Sequence, residues 1–178
     1  GQGYILEPTI VPFYEGEVAA VPLARALGAE NMKYTGTFDY TEFDPNDTSK
    51  SFYLEYVKDV LTEEENFPQY ILKASGLSKA DLLERGRAEK DWVGEFDYTS
   101  GSGWMYTLNN VYPLGAGQTY VKDGDVMRWQ YTVYGYGADL GNSMVSSEKL
   151  VDQANRDALT KMIAQINTSS NKAKLLAD

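Results

Sequence analysis

Any chemistry in this chain has to come from carboxylates, tyrosines and lysines, because its 178 residues include no His and no Cys. That removes the commonest general base, the Ser-His-Asp triad, thiolate nucleophiles, zinc–thiolate centres and disulfides. Asp39, Asp97, Asp123, Asp125 and Asp139 lie near expected strand ends or turns. A glycosidase needs only two carboxyls facing each other across a cleft, so a carboxylate-type hydrolase is the enzymatic reading. With 26 acidic residues in the chain, solvated turns account for the same spacing. Asp44-Pro-Asn46-Asp47-Thr48 sets oxygen ligands at alternate positions, as calcium loops do. Ser49 stands where such a loop needs Gly, and Glu55, at the twelfth loop position, falls in an expected strand, so the stretch reads as a polar turn. Gly101-Ser-Gly103 and Gly115-Ala-Gly117 are short glycine loops. Neither opens a helix with a Lys-Ser/Thr signature, which a phosphate cradle requires.

The aromatics are the other candidates. Trp104 and Tyr106 are two apart on a strand and share a face. With Tyr112, Tyr134 and Tyr136 they could stack on a sugar or another planar ligand, or they could simply begin a core hairpin. The ligand-binding set this suggests is Trp104, Tyr106, Asn109, Tyr112, Gly115 and Gly117, with the loop edges around Tyr112 and Gly115–Gly117 favoured over the rings. No catalytic residue and no metal ligand is assigned.

The elements around these residues follow from periodicity and punctuation. Residues 3–14 are apolar but broken by Pro8 and Pro12, which predicts an edge strand. Ala19, Ala20, Leu23, Ala26 and Leu27 have helical spacing, with Pro22 in the first turn and Gly28 just past the end. Residues 33–43 and 52–60 alternate as strands, separated by a polar turn. A helical insertion is expected over about 61–90: one helix from Pro68 to Gly76, then a second capped by Ser78 with Asp81. From 92 the pattern is β again, with a tight turn at Asn109-Asn110 leading into a strand at 111–113, and a second turn in Lys122-Asp-Gly-Asp125. In the strand that follows, Met127, Trp129, Tyr131 and Val133 form the expected core face. Leu150, Ala154, Ala158, Met162 and Ile166 stand at i+4 steps and predict an amphipathic helix over 146–167. Gly36-Thr-Phe-Asp-Tyr-Thr41 is echoed by Gly94-Glu-Phe-Asp-Tyr-Thr99, but the flanks differ and no repeat is assigned.

The formal charge of −10 opposes binding to nucleic acid or to an anionic membrane surface. No apolar run is long enough to cross a bilayer. The chain opens on Gly1 rather than Met, which points to a longer natural chain.

The stretch 102–132 carries a wider pattern. Gly103, Trp104, Tyr106, Asn109, Tyr112, Pro113, Gly115, Lys122, Asp123, Gly124, Asp125, Val126, Trp129, Tyr131 and Thr132 resemble the signature of the DUF4430 family, the transcobalamin-like C-terminal domain. Asn110 departs from it, standing where Gly is usual. The resemblance is looser over residues 1–100 and leaves both the helical insertion and the C-terminal helix outside the shared core.

It implies an α+β chain with a β-grasp (ubiquitin-like) fold, a mixed sheet packed on a helix. Residues 1–141 would form that domain, and 142–178 a C-terminal helix and polar tail linking to a further module. It further implies an extracellular or cell-wall-associated bacterial protein. The leading expectation is a non-catalytic binding or adhesion module, with a small molecule, glycan, protein or neighbouring module as partner. Two alternatives stay open: a carrier of cobalamin or a glycan, with cobalamin implied by the family alone, and a structural spacer. The helical jaw that closes on cobalamin in transcobalamins is lacking here, so that ligand rests on analogy of fold.

Overall fold

The computed structural model describes residues 3–39, 50–59 and 65–175. The calcium-like stretch at 44–48, residues 40–43 of the expected first strand and the start of the insertion at 61–64 lie outside them. The chain is α+β, in the order α1 (Ala20–Leu27), β1 (Met32–Thr35), β2 (Tyr53–Lys58), α2 (Gln69–Ser75), α3 (Lys79–Arg85), β3 (Trp92–Gly94), β4 (Gly103–Leu108), β5 (Met127–Thr132), α4 (Asp157–Thr168) and α5 (Lys172–Leu175).

Local rules set most of these boundaries. Gly28 ends α1 at φ +85°, its N–H donating to the Ala24 carbonyl at 3.0 Å. Ser78 and Asp81 form a reciprocal capping box at the start of α3. Gly124 takes φ +78° in the 122–125 turn. Asn109 and Asn110 adopt φ +52° and +62°, as the turn reading requires.

Strands β1, β2 and β3 form one sheet in that order, and β4 and β5 form a second. Every ladder among the described residues is antiparallel, so the parallel pair that a mixed sheet needs is not among them. Within the first sheet β3 runs antiparallel beside β2, with Gly94 opposite Tyr56. There a Cβ on Gly94 would stand 2.0 Å from the Tyr56 ring, so only Gly allows the approach. The core has two parts. One joins α1, β1 and β2 to the aromatic face of the β4–β5 hairpin. The other gathers Phe67, Leu82, Val93 and Tyr98 beneath the α2–α3 insertion. The expected Met127-Trp129-Tyr131-Val133 face packs against these clusters.

Three expectations are corrected. Residues 3–14 form no strand. Pro8 and Pro12 offer no N–H to a ladder, and their carbonyls accept instead from Asn167 at 2.9 Å and Arg25 at 2.5 Å. After Asn110 the chain makes a single bridge, Leu108 to Val111, and then leaves; the partner of β4 is β5, not the 111–113 segment. The C-terminal helix begins at Asp157 rather than 146. Tertiary contacts override the periodicity over 146–156. Leu150 donates to the Ala138 carbonyl at 2.9 Å and Gln153 to the Asn110 carbonyl at 2.9 Å, while Gly141 lies too close to Gln153 for any side chain. The buried side of α4 is accordingly not the expected stripe: Ala164 is buried, while Leu159 and Met162 are exposed. The 142–175 segment is bound to the rest of the chain through Arg128–Asp157 and Asn167–Pro8.

Candidate functional site

The β4–β5 hairpin brings the expected aromatics together. In register, Trp104 faces Tyr131 and Tyr106 faces Trp129. Tyr106 stacks on Trp129 with centroids 4.7 Å apart, and Trp104 meets Tyr131 edge-on at 5.3 Å. Three of their four polar ends are also engaged, while Trp129 Nε1 is buried without a hydrogen-bond partner among the described residues. Trp104 Nε1 donates to the Val93 carbonyl at 2.9 Å, Tyr131 Oη to the Gly94 carbonyl at 2.6 Å, and Tyr106 Oη to the Leu114 carbonyl at 2.5 Å. Rings held on both faces and at the tip are packing elements.

The loop edge behaves similarly. Asn109 closes the turn, accepting from the Val126 N–H at 3.0 Å and donating to Asp125 at 2.7 Å. The Tyr112 hydroxyl is buried without a hydrogen-bond partner among the described residues, and burial pushes its pKa up. Gly117 is buried, and a Cβ there would lie 2.6 Å from the Lys50 carbonyl oxygen. Gly115 is exposed at the loop tip beside Leu114. Of the expected set, the structure therefore brings Trp104, Tyr106, Asn109 and Gly117 into packing roles and leaves Gly115 open to solvent.

Of the five aspartates, Asp97 and Asp139 are buried, at 5% and 6% exposure. Each pins a turn. Asp97 accepts from the Ala88 N–H at 3.0 Å and the Gly94 N–H at 2.7 Å. Asp139 accepts from the Val133 N–H at 2.8 Å and from the Thr132 hydroxyl. The turns they hold carry two aromatic residues on left-handed backbone. Phe96 and Tyr136 sit at φ +62° and +51°, a left-handed conformation that bulky side chains avoid at a cost of about 1–2 kcal/mol each. Each backbone is held through its N–H. Phe96 N–H donates to the Ser102 carbonyl and Tyr136 N–H to the Gly101 carbonyl, each at 3.0 Å. Both rings are thrown outward, at 56% and 41% exposure.

The Tyr136 turn borders an open groove of about 340 Å³. It is lined by Thr99, Ser100, Tyr134, Tyr136, Ser146 and Glu148, among others, with no Lys or Arg. Glu95, next to Phe96, accepts from the Tyr53 hydroxyl at 2.7 Å, and Tyr53 is itself half exposed. Sequence reasoning missed Phe96 and Tyr53, and named Tyr136 only within the aromatic set. No local rule predicts a left-handed aromatic, because the strain is imposed by the buried aspartates and by the 101–102 backbone.

The pinning carboxylates give a pH signature. Burial, as the largest influence, holds both Asp97 and Asp139 above the usual 3.8, and their hydrogen-bond donors only partly offset it. A carboxyl that holds its proton more tightly when folded adds stability as that proton goes on. Stability is therefore expected to rise as pH is lowered from neutral toward the usual carboxylate value, and to be lost as pH climbs through the raised values. Urea midpoints measured across that window check the sign, and replacing both residues with Asn should flatten the slope.

The second buried ionic group lies under the insertion. Arg87 donates through Nε to Glu65 at 3.0 Å and to Tyr98 Oη at 3.2 Å, and through Nη1 and Nη2 to the Asp59 carbonyl and carboxylate at 2.6 and 2.7 Å. Its donors are all directed inward, as in a structural clasp. Among the described residues, no group of three or more acidic side chains is arranged to hold a metal ion. No helix among them is long and apolar enough to cross a membrane.

Compared with known proteins, the chain matches no family model, no curated protein and no solved structure.

Proposed function

We propose that the chain is a non-catalytic binding or adhesion module of a secreted or cell-surface bacterial protein, built on a β-grasp core of the DUF4430 kind. Support for the core comes from the 102–132 pattern: Trp104, Tyr106, Asn109, Asp125, Trp129 and Tyr131 are the residues that pack or close the hairpin, and α1 lies in the same cluster as its aromatic face. The binding reading is carried by one observation. Phe96 and Tyr136 are held outward on left-handed backbone, and Tyr136 lines an open groove, although a fold optimised for stability alone would place Gly or Asn at both positions.

The test is a binding screen of the purified protein against three ligand classes: cobalamin, immobilised oligosaccharides and extracellular-matrix proteins. Saturable binding to at least one class is expected, and a Phe96→Asn/Tyr136→Asn double variant should lose it while staying folded. Absence of saturable binding to all three would overturn the reading.

A further inference from the structure

We propose that Tyr56, Trp92 and Glu89, on the outer face of the β1–β2–β3 sheet, form a binding site for a quaternary ammonium cation, with Lys33 as a tethered occupant that the ligand displaces. The site shares no residue with the groove or the two outward rings that carry the binding reading above.

Strand register builds the site. Lys33 stands opposite Tyr56, Tyr56 opposite Gly94, and Lys58 opposite Trp92. Residues two apart on a strand share a face, so Lys33, Tyr56 and Trp92 lie together, on the side away from the buried Met32, Val57 and Val93. The Tyr56 ring lies across Gly94, where no Cβ stands in its way. Glu89 comes from the turn before β3, where its carbonyl accepts from the Trp92 N–H at 3.2 Å. The Lys33 ammonium sits 4.6 Å from the Trp92 centroid and 5.7 Å from that of Tyr56, and it is bonded to the Glu89 carboxylate. Two rings and one carboxylate thus converge on a point that already holds a cation. The place is open to solvent: the Lys33 and Glu89 side chains are 38% and 48% exposed, and both rings are half-buried.

The surroundings select the charge and its chemical form. Burial, and then the carboxylates of Asp97, Glu95, Glu89 and Glu55, raise the pKa of the Tyr56 phenol. The same negative field attracts a cation. A primary ammonium carries three N–H donors, and Glu89 is the acceptor that Lys33 meets here. A quaternary ammonium has no donor to satisfy, so it gives up less on leaving water and presents its charge to both rings through methyl groups. Displacing Lys33 costs the fold little, because an exposed ion pair contributes little to stability.

Choline chloride, titrated at constant ionic strength into isotopically labelled protein, tests the site. Saturable shifts are expected at the amides of residues 33, 56 and 89–92 and at the Trp92 indole N–H. The uncharged tert-butyl isostere of choline should produce none. Lys33→Ala should tighten choline roughly tenfold, since a tethered competitor is removed, and should keep a thermal midpoint close to that of the wild type. Trp92→Leu should weaken choline roughly tenfold, as loss of one desolvated cation–π contact implies, and Glu89→Gln should weaken it less. Phosphatidylcholine vesicles run in parallel separate the sources. Co-sedimentation of the protein assigns the headgroup, and choline binding without it assigns a soluble cation. Equal shifts from the isostere would show a merely apolar contact and overturn the proposal. Weaker choline binding in Lys33→Ala would place Lys33 in the framework of the site and overturn the displacement. Absence of saturable shifts at these positions in both the wild type and Lys33→Ala would overturn the site itself, while leaving the reading of the Tyr136 groove untouched.

Discussion

Replacing Arg87 with Ala should destabilise the protein by about 3–5 kcal/mol, the largest effect expected of any single charged residue described. The Arg87 and Glu65 side chains are each only 7% exposed. Burial opposes the guanidinium charge, but the hydrogen bonds to Asp59 and Tyr98 outweigh it and hold the arginine's pKa above its ordinary value. Removing the guanidinium leaves the Glu65 carboxylate buried with the Tyr98 hydroxyl as its hydrogen-bond donor. It also frees the Asp59 carbonyl, which closes the end of β2. Arg87→Lys should fall between the wild type and Ala, because one ammonium cannot reproduce a planar fork directed at three residues. An Arg87→Met/Glu65→Leu double variant should recover much of the loss, since the uncompensated charge is then gone. Urea denaturation of the four proteins gives the comparison. An Ala variant within about 0.5 kcal/mol of wild type, the range of ordinary surface changes, would show that the clasp contributes little.

The contrast between this clasp and the helix ends explains what was legible in the sequence. Gly28, the Ser78–Asp81 box and the Lys122–Asp125 turn depend on residues within four positions of each other, and local stereochemistry decided each of them. The Trp129–Tyr131 face followed from strand alternation. Arg87 meets Asp59 and Glu65 from 28 and 22 residues away, and no periodicity carries that information. The echoed hexapeptides make the same point. Phe38 in Gly-Thr-Phe-Asp is 4% exposed, while Phe96 in Gly-Glu-Phe-Asp is 56% exposed. Phe38 enters the α1 cluster, where it packs edge-on against Phe52 at 5.5 Å. Phe96 is turned out because Asp97 is drawn inward by the amides of Ala88 and Gly94. Nearly identical local words thus receive opposite environments from distant donors. For the same reason the candidate ligand set drawn from the hairpin consisted largely of residues that pack the fold, whereas the exposed rings stood on turns with no distinguishing local pattern.

Trp104→Ala is expected to cost about 3–5 kcal/mol, and its effect should reach beyond the loss of one ring. Trp104 packs against both core clusters, the one under α1 and the one under the insertion, and no other β4 residue does so. Its Nε1 also ties β4 to β3 through the Val93 carbonyl. Truncation would open a cavity at the seam between the clusters and unseat Tyr131, whose ring it meets edge-on. The two halves should then unfold less cooperatively. In a Trp92→Phe background, where Trp104→Ala leaves Trp129 of the α1 cluster as the remaining indole, far-ultraviolet circular dichroism and tryptophan fluorescence should give separate denaturation midpoints, and coincident ones while Trp104 is retained. Trp104→Phe retains an edge for Tyr131 but removes the indole N–H, so a smaller loss of roughly 1 kcal/mol is expected. That pair of substitutions separates the two roles an aromatic can have on a strand. A residue kept for a ligand would lose binding and keep its midpoint when truncated, the pattern expected of Phe96 and Tyr136. A residue kept for the fold would lower the midpoint, and coincident transitions at an unchanged midpoint in Trp104→Ala would refute its assignment as the link between the two clusters.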